Sequence, residues 1–91
     1  MTYTVPRVKV EDYDKFKRLF FEEGVIALRQ AYASRGSRLF RSSSDPQGII
    51  VLGEWDDLEN ASRFFQSNEL REQQQRGGVV EVVRYEEVEP F

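Results

Sequence analysis

Apolar residues recur along this chain with two different periods, and the switches between them mark out a sequence of strands and helices. Tyr3 to Val10 alternates, with Val8 and Val10 on one side and Arg7 and Lys9 on the other, so it reads as a strand. Pro6 cannot donate to a strand ladder, so either the paired part begins after it or a bulge sits there. The period then lengthens. Tyr13, Phe16, Leu19 and Phe20 form a helical stripe opened by Glu11 or Asp12. Gly24 interrupts this stripe, and Val25, Ile26 and Leu28 resume it, which predicts a kink or a break into two segments. Ser34 to Ser37, with Gly36 among them, are expected to end the helix.

The second half repeats the alternation of strand and helix. Arg38 to Ser42 reads as a short strand whose Leu39 and Phe40 point to opposite faces. Asp45-Pro46-Gln47-Gly48 has the composition of a type I turn, which makes a hairpin with the strand that follows. In that strand Ile49, Ile50, Val51 and Leu52 form a continuous apolar run, a pattern that implies burial on both faces. Asp56, with Glu59 three positions on, is the expected N-cap of the next helix, whose stripe is Leu58, Ala61, Phe64 and Phe65. Ser67 or Asn68 caps a further turn that includes Leu70 and is stopped by Gly77 and Gly78. Val79 to Val88 is the last strand, followed by a polar tail.

Strand, helix, strand, strand, helix, strand is the ferredoxin-like split order. It predicts an α+β domain, an antiparallel sheet with both helices on one face. The helices cover only that face, yet the third and fourth strands are apolar on both. A second copy of the same sheet is the simplest cover for the other face, so the sheet face is expected to form a homodimer. Length points the same way. The chain reads as one domain spanning residues 1–91, and so short a chain gains from extra burial between copies.

Composition narrows the chemistry. There is neither cysteine nor histidine, which removes disulfides, thiol nucleophiles, imidazole acid–base chemistry and the usual structural zinc sites. Sixteen acidic against 13 basic residues give a net charge of −3, which speaks against nucleic-acid binding. The start of the chain, MTYTVPRVKV, lacks an apolar signal core, and no run approaches membrane-spanning length. The expected compartment is the cytoplasm.

The segment IIVLGEWDDLENASRFFQSNELRE, the closing VVEVVRYEEV and the two-faced strands together resemble the antibiotic biosynthesis monooxygenase-like (ABM) domains of the dimeric α/β-barrel superfamily. The resemblance covers essentially the whole chain and is most specific from Val51 to Phe65, followed by the turn at Ser67 to Leu70. It implies a dimeric α/β barrel. Its members include cofactor-free oxygenases of polyketide aromatics, haem-degrading enzymes and isomerases. The haem-degrading branch uses an Asn, Trp and His set. With no histidine here, the resemblance does not carry that activity over.

A cofactor-free oxygenase binds an electron-rich aromatic ring, stabilises an oxyanion and excludes water. Trp55 could stack on such a ring and Asn60 could anchor it. Arg7, Arg38 or Arg41 could supply a cationic donor. With Asp56 as cap, Trp55 and Asn60 would flank the first helical turn as neighbours. Glu54 shares a strand face with Ile50 and Leu52, so partial burial is expected, either as a base or as half of an inter-subunit ion pair with an arginine. Trp55, Glu54 and Asn60 are thus the candidate catalytic residues, with no cofactor and no metal. Each also has a plain structural role open to it, as core aromatic, buried ion-pair partner and solvated helix residue. Two functions follow: a cofactor-independent monooxygenase or isomerase acting on an aromatic or polyketide-like small molecule, or a non-catalytic homodimeric module that binds a ligand or assembles. An RNA-recognition module shares the element order, but IIVLGEW lacks the basic and aromatic residues that stack bases.

Overall fold

The structure, a computed structural model, describes residues 2–85. From the N-terminus its elements are β1 (Thr2–Thr4), β2 (Arg7–Val10), α1 (Tyr13–Phe20), α2 (Glu23–Ala31), β3 (Ser34–Arg41), β4 (Gly48–Trp55), α3 (Leu58–Phe65), α4 (Asn68–Arg76) and β5 (Val79–Val83). Every pairing in the sheet is antiparallel. β4 takes β3 along one edge and both β1 and β2 along the other, and β2 in turn pairs with β5. Counting β1 and β2 as one interrupted strand gives the ferredoxin-like α+β arrangement that the element order predicts.

Pro6 is the reason for the interruption. The chain on either side of it pairs with β4, Thr2–Thr4 against Gly53–Trp55 and Arg7–Lys9 against Gly48–Ile50, while the proline itself has no N–H to give. Its carbonyl still accepts from the Val51 amide at 3.1 Å.

The first helix divides as expected, but one turn before Gly24. Phe21 ends α1, and Glu22, in extended conformation, opens α2. Gly24 lies in the first turn of α2, where amides have no intrahelical partner in any case. The reversal after α2 also falls earlier than Ser34–Ser37. Ala33 adopts φ 66°, and Ser34 to Ser37 belong to β3. An alanine in the left-handed region costs about 1 kcal/mol or more, and here it turns the chain directly from helix to sheet. Gly36, at φ 150°, sits at an irregularity in the β3–β4 register. The hairpin turn forms as its composition predicts. Gly48 N donates to the Asp45 carbonyl at 3.0 Å, and Asp45 Oδ1 accepts from Gln47 N at 3.0 Å.

The N-cap of α3 is Asp57, not Asp56. Asp57 Oδ1 accepts from the Asn60 amide at 2.8 Å, whereas the Asp56 carboxylate is held by Arg35. Ser67 caps α4. The last strand is described as far as Val83, and the remainder of the expected strand beyond residue 85 lies outside the described residues.

Alternation along β4 sends Ile49, Val51, Gly53 and Trp55 toward the helices and Ile50, Leu52 and Glu54 to the opposite face. Two core clusters result. Val8, Val10 and Ile49 gather Tyr13, Phe16, Leu39, Val51 and Val79, while Trp55, Ala61 and Phe64 gather Leu28, Tyr32, Phe65 and Leu70. Each large side chain so buried contributes about 1.5–3 kcal/mol. No helix among the described residues is long and apolar enough to cross a membrane.

Candidate functional site

Between the two clusters the packing is incomplete. A cavity of about 90 Å³ lies between the sheet and the helices, walled by Val8, Phe16 and Val79 from one cluster and Trp55, Phe64, Phe65 and Leu70 from the other. Its wall is almost entirely apolar. Thr4, Ser37, Gln73, Gln74 and Arg29 are the polar residues on it.

Trp55 enters this wall because it is the last residue of β4 on the helix-facing side. It is 2 % exposed, and its indole packs against Phe64 and Phe65 with ring centroids 5.3 and 5.9 Å away. The indole Nε1–H donates to Thr4 Oγ1 at 2.9 Å. Its polar edge is therefore occupied within the protein, and what Trp55 offers a ligand is its ring surface.

The other two candidates from the sequence stand elsewhere. Glu54 is half-buried on the opposite face of the sheet, in register with Tyr3 of β1 and Gly36 of β3. Asn60 is half-buried in the first turn of α3, where its Nδ2 donates to Asp57 Oδ2 at 3.1 Å. With the cap at Asp57, Asn60 is three residues after the cap and folds back onto it, a variant of the capping box rather than a staple with Trp55. Neither residue reaches the cavity wall. Among the arginines, Arg7 and Arg38 stand on the face away from the helices, paired in register with Ile50 and Leu52, and Arg41 lies over the Tyr13 ring at 4.2 Å.

The cation on the cavity wall is instead Arg29, from the last turn of α2. It is 9 % exposed. Its Nη2 donates to the Phe20 carbonyl at 3.0 Å, and its guanidinium carbon lies 4.0 Å from the centre of the Phe20 ring. The Arg29 donor satisfies a carbonyl at the end of α1, where the last turn leaves acceptors without an intrahelical partner. The ring contact is worth about 0.5–2 kcal/mol. The ion pairs among the described residues, Arg35–Asp56, Arg63–Glu59 and Arg76–Glu22, all lie at the surface and leave Arg29 out. Its pKa is lowered by burial, yet a guanidinium starts so far above neutrality that it stays charged. Taking a cation out of water costs several kcal/mol unless an opposite charge accompanies it, and one carbonyl and one ring offset only part of that. Arg29 escaped the sequence reading, although its signal was present. Val25, Leu28, Arg29 and Tyr32 are spaced three, four and seven apart, so the arginine stands on the apolar stripe of its helix.

At the surface Arg35 has its pKa raised, first by the hydrogen bond to Asp56, then by the charge of Asp56, with Glu54 adding a smaller pull. Among the described residues no three His, Cys, Asp or Glu side chains come together as a metal site.

No protein-family model matches the chain, and no curated protein matches it in sequence. Solved structures do match in shape. A provisionally assigned antibiotic biosynthesis monooxygenase from Bordetella bronchiseptica superposes with a TM-score of 0.70 at 19% identity, covering 99% of this chain and 97% of that one. SnoaB, a cofactor-independent oxygenase from Streptomyces nogalater, gives 0.70 at 12% identity over 99% and 93% of the two chains. A further provisionally assigned antibiotic biosynthesis monooxygenase, from Deinococcus radiodurans, gives 0.66 at 10% identity over 100% and 94%. The chain thus has the fold of the ABM domains, as its sequence resemblance implies. At these identities the likeness is one of fold, and a fold alone does not assign a reaction.

Proposed function

We propose that the chain binds a small apolar molecule in the cavity beside Trp55 and Arg29, and that it is a cofactor-independent monooxygenase of an aromatic or polyketide-like compound. The observation that carries this reading is an apolar cavity with one buried cation on its wall and no carboxylate beside that cation among the described residues. Such a site suits a phenol-like substrate that reacts as its anion. The ring lies against the Trp55 indole, the developing oxyanion is stabilised by a fixed positive charge, and the apolar wall keeps water away. Overall, a ring CH₂ becomes C=O as one atom of dioxygen bonds to carbon and the other leaves as water with both hydrogens. The substrate supplies the electrons, so no cofactor is required. The likeness to SnoaB, described as a cofactor-independent oxygenase, supports the same class.

Size sets a condition. A cavity of about 150 Å³ lined by aliphatic and aromatic groups takes up benzene, and this one is smaller. The substrate therefore places a ring edge or a small branch inside and leaves the rest at the mouth. In this scheme Asn60 holds the first turn of α3 in place, and Glu54 belongs to the outer face. Oxygen uptake with a panel of phenolic and anthrone-like compounds tests the reaction. Uptake that Trp55→Ala abolishes supports it, and uptake by none of the panel contradicts it.

The outer face supports the second part of the reading, a homodimer. Phe40, Ile50 and Val83 are each about two-fifths exposed there, flanked by Leu52 and Tyr3. Apolar side chains exposed on a sheet face, here with Arg7 set between Ile50 and Val83, suit an interface between copies. Sedimentation at micromolar concentration should give the mass of two chains, and Ile50→Glu should give the mass of one. A monomeric wild type would contradict the dimer. A dimer that binds no ligand would leave the non-catalytic assembly module as the function.

A further inference from the structure

Helix α2 contributes Val25, Leu28 and Tyr32 to the interior, and Arg29 stands on the same stripe. An arginine on an apolar stripe usually reaches outward or meets a carboxylate. Arg29 does neither. It remains 9 % exposed, faces a cavity whose other polar groups, Thr4, Ser37, Gln73 and Gln74, are all uncharged, and has a single described acceptor, the Phe20 carbonyl, for a fork of five N–H donors. The chain has 16 acidic residues, and none of those described is placed against it. Among the described residues the positive charge is thus unmatched, while the donors not bonded to Phe20 remain accessible to a ligand.

We propose that the cavity selects ligands bearing an anionic oxygen, and that Arg29 is the specificity-determining residue that reads this charge. The inference rests on the cavity being the ligand site and names what that ligand must carry. A carboxylate fits the guanidinium fork through two parallel N–H···O bonds, while a phenolate or enolate oxygen accepts one or two of the same donors. Because the donors sit on an otherwise uncharged, largely apolar wall, a neutral ligand of the same shape offers them no charged partner.

Calorimetric or NMR titration with matched pairs tests this. Benzoate is set against benzamide, and 4-nitrophenolate in alkaline buffer against 4-nitroanisole, so the two arms separate carboxylate from phenolate recognition. Wild-type protein should bind at least one anion about tenfold or more tighter than its neutral partner, a difference of about 1.4 kcal/mol. Arg29→Gln should bring the affinity for the anion down to that for its neutral partner, and Arg29→Lys should retain part of the preference. Equal affinity of wild type for anion and neutral partner overturns the proposal alone. So does a preference that survives in Arg29→Gln. Binding of neither member of either pair overturns the cavity reading and the proposal together. Should Arg29→Gln fail to fold for want of its bond to Phe20, the wild-type pairs and Arg29→Lys still decide the matter.

Discussion

The indole Nε1–H of Trp55 donates to Thr4 Oγ1 at 2.9 Å, joining the end of β4 to the end of β1 inside the protein. Thr4 is 3 % exposed and Trp55 2 %. The bond fixes the ring that walls the cavity, and it depends on Gly53 between them. A Cβ built on Gly53 would stand 2.8 Å from Trp55 Nε1 and 2.9 Å from Thr4 Oγ1, closer than side chains approach.

Two substitutions check this arrangement. Thr4→Val keeps the shape but leaves the indole N–H without its acceptor, an expected loss of about 1–3 kcal/mol of stability. Gly53→Ala drives a methyl into the bonded pair and costs about 1–3 kcal/mol through overpacking. Urea unfolding followed by tryptophan fluorescence measures both, since Trp55 is the chain's one tryptophan. Gly53→Ala at wild-type stability would mean that the indole does not lie where it is described.

The start of α3 gives a sharper contrast between neighbours. Asp57→Ala removes the side chain that accepts from the Asn60 amide at 2.8 Å and from Asn60 Nδ2 at 3.1 Å, and it should cost about 0.5–2 kcal/mol. Asp56→Ala removes an ion pair with Arg35 that is exposed on both sides, and should cost clearly less. Parallel chemical denaturation of the two variants measures the difference. The reverse order would move the cap back to Asp56.

Asp56 and Asp57 also show how far the sequence carries. The strand–helix order is legible because Val8, Val10 and the run from Ile49 to Leu52 have strand patterning, while Phe16, Leu19 and Phe20 have helical spacing. Which aspartate caps α3 is not legible locally, because it turns on Arg35, which lies 21 residues earlier and takes the Asp56 carboxylate. The same holds for the end of α2. The chain reverses at Ala33, with its positive φ, and not within Ser34 to Ser37, since the strand that follows uses those residues in β3 beside β4.

For the site, alternation along β4 already separates Glu54 from Trp55, one to each face of the sheet. The spacing of Val25, Leu28, Arg29 and Tyr32 already places a cation indoors. The cavity itself could not be read, because it arises where Phe16 of α1, Phe64 of α3 and Leu70 of α4 fail to close over the sheet. No local pattern records a gap between side chains from three helices.

The central claim is that this cavity receives the ligand, and amide and indole NMR during titration with benzoate tests it most directly. The Trp55 indole signal is a single probe set in the wall. Saturable shifts should gather on Trp55, Gly53, Thr4, Val25 and Arg29, the residues around the cavity. Saturable shifts confined to Phe40, Ile50 and Val83 on the outer face, or no saturable shift anywhere, would contradict the account.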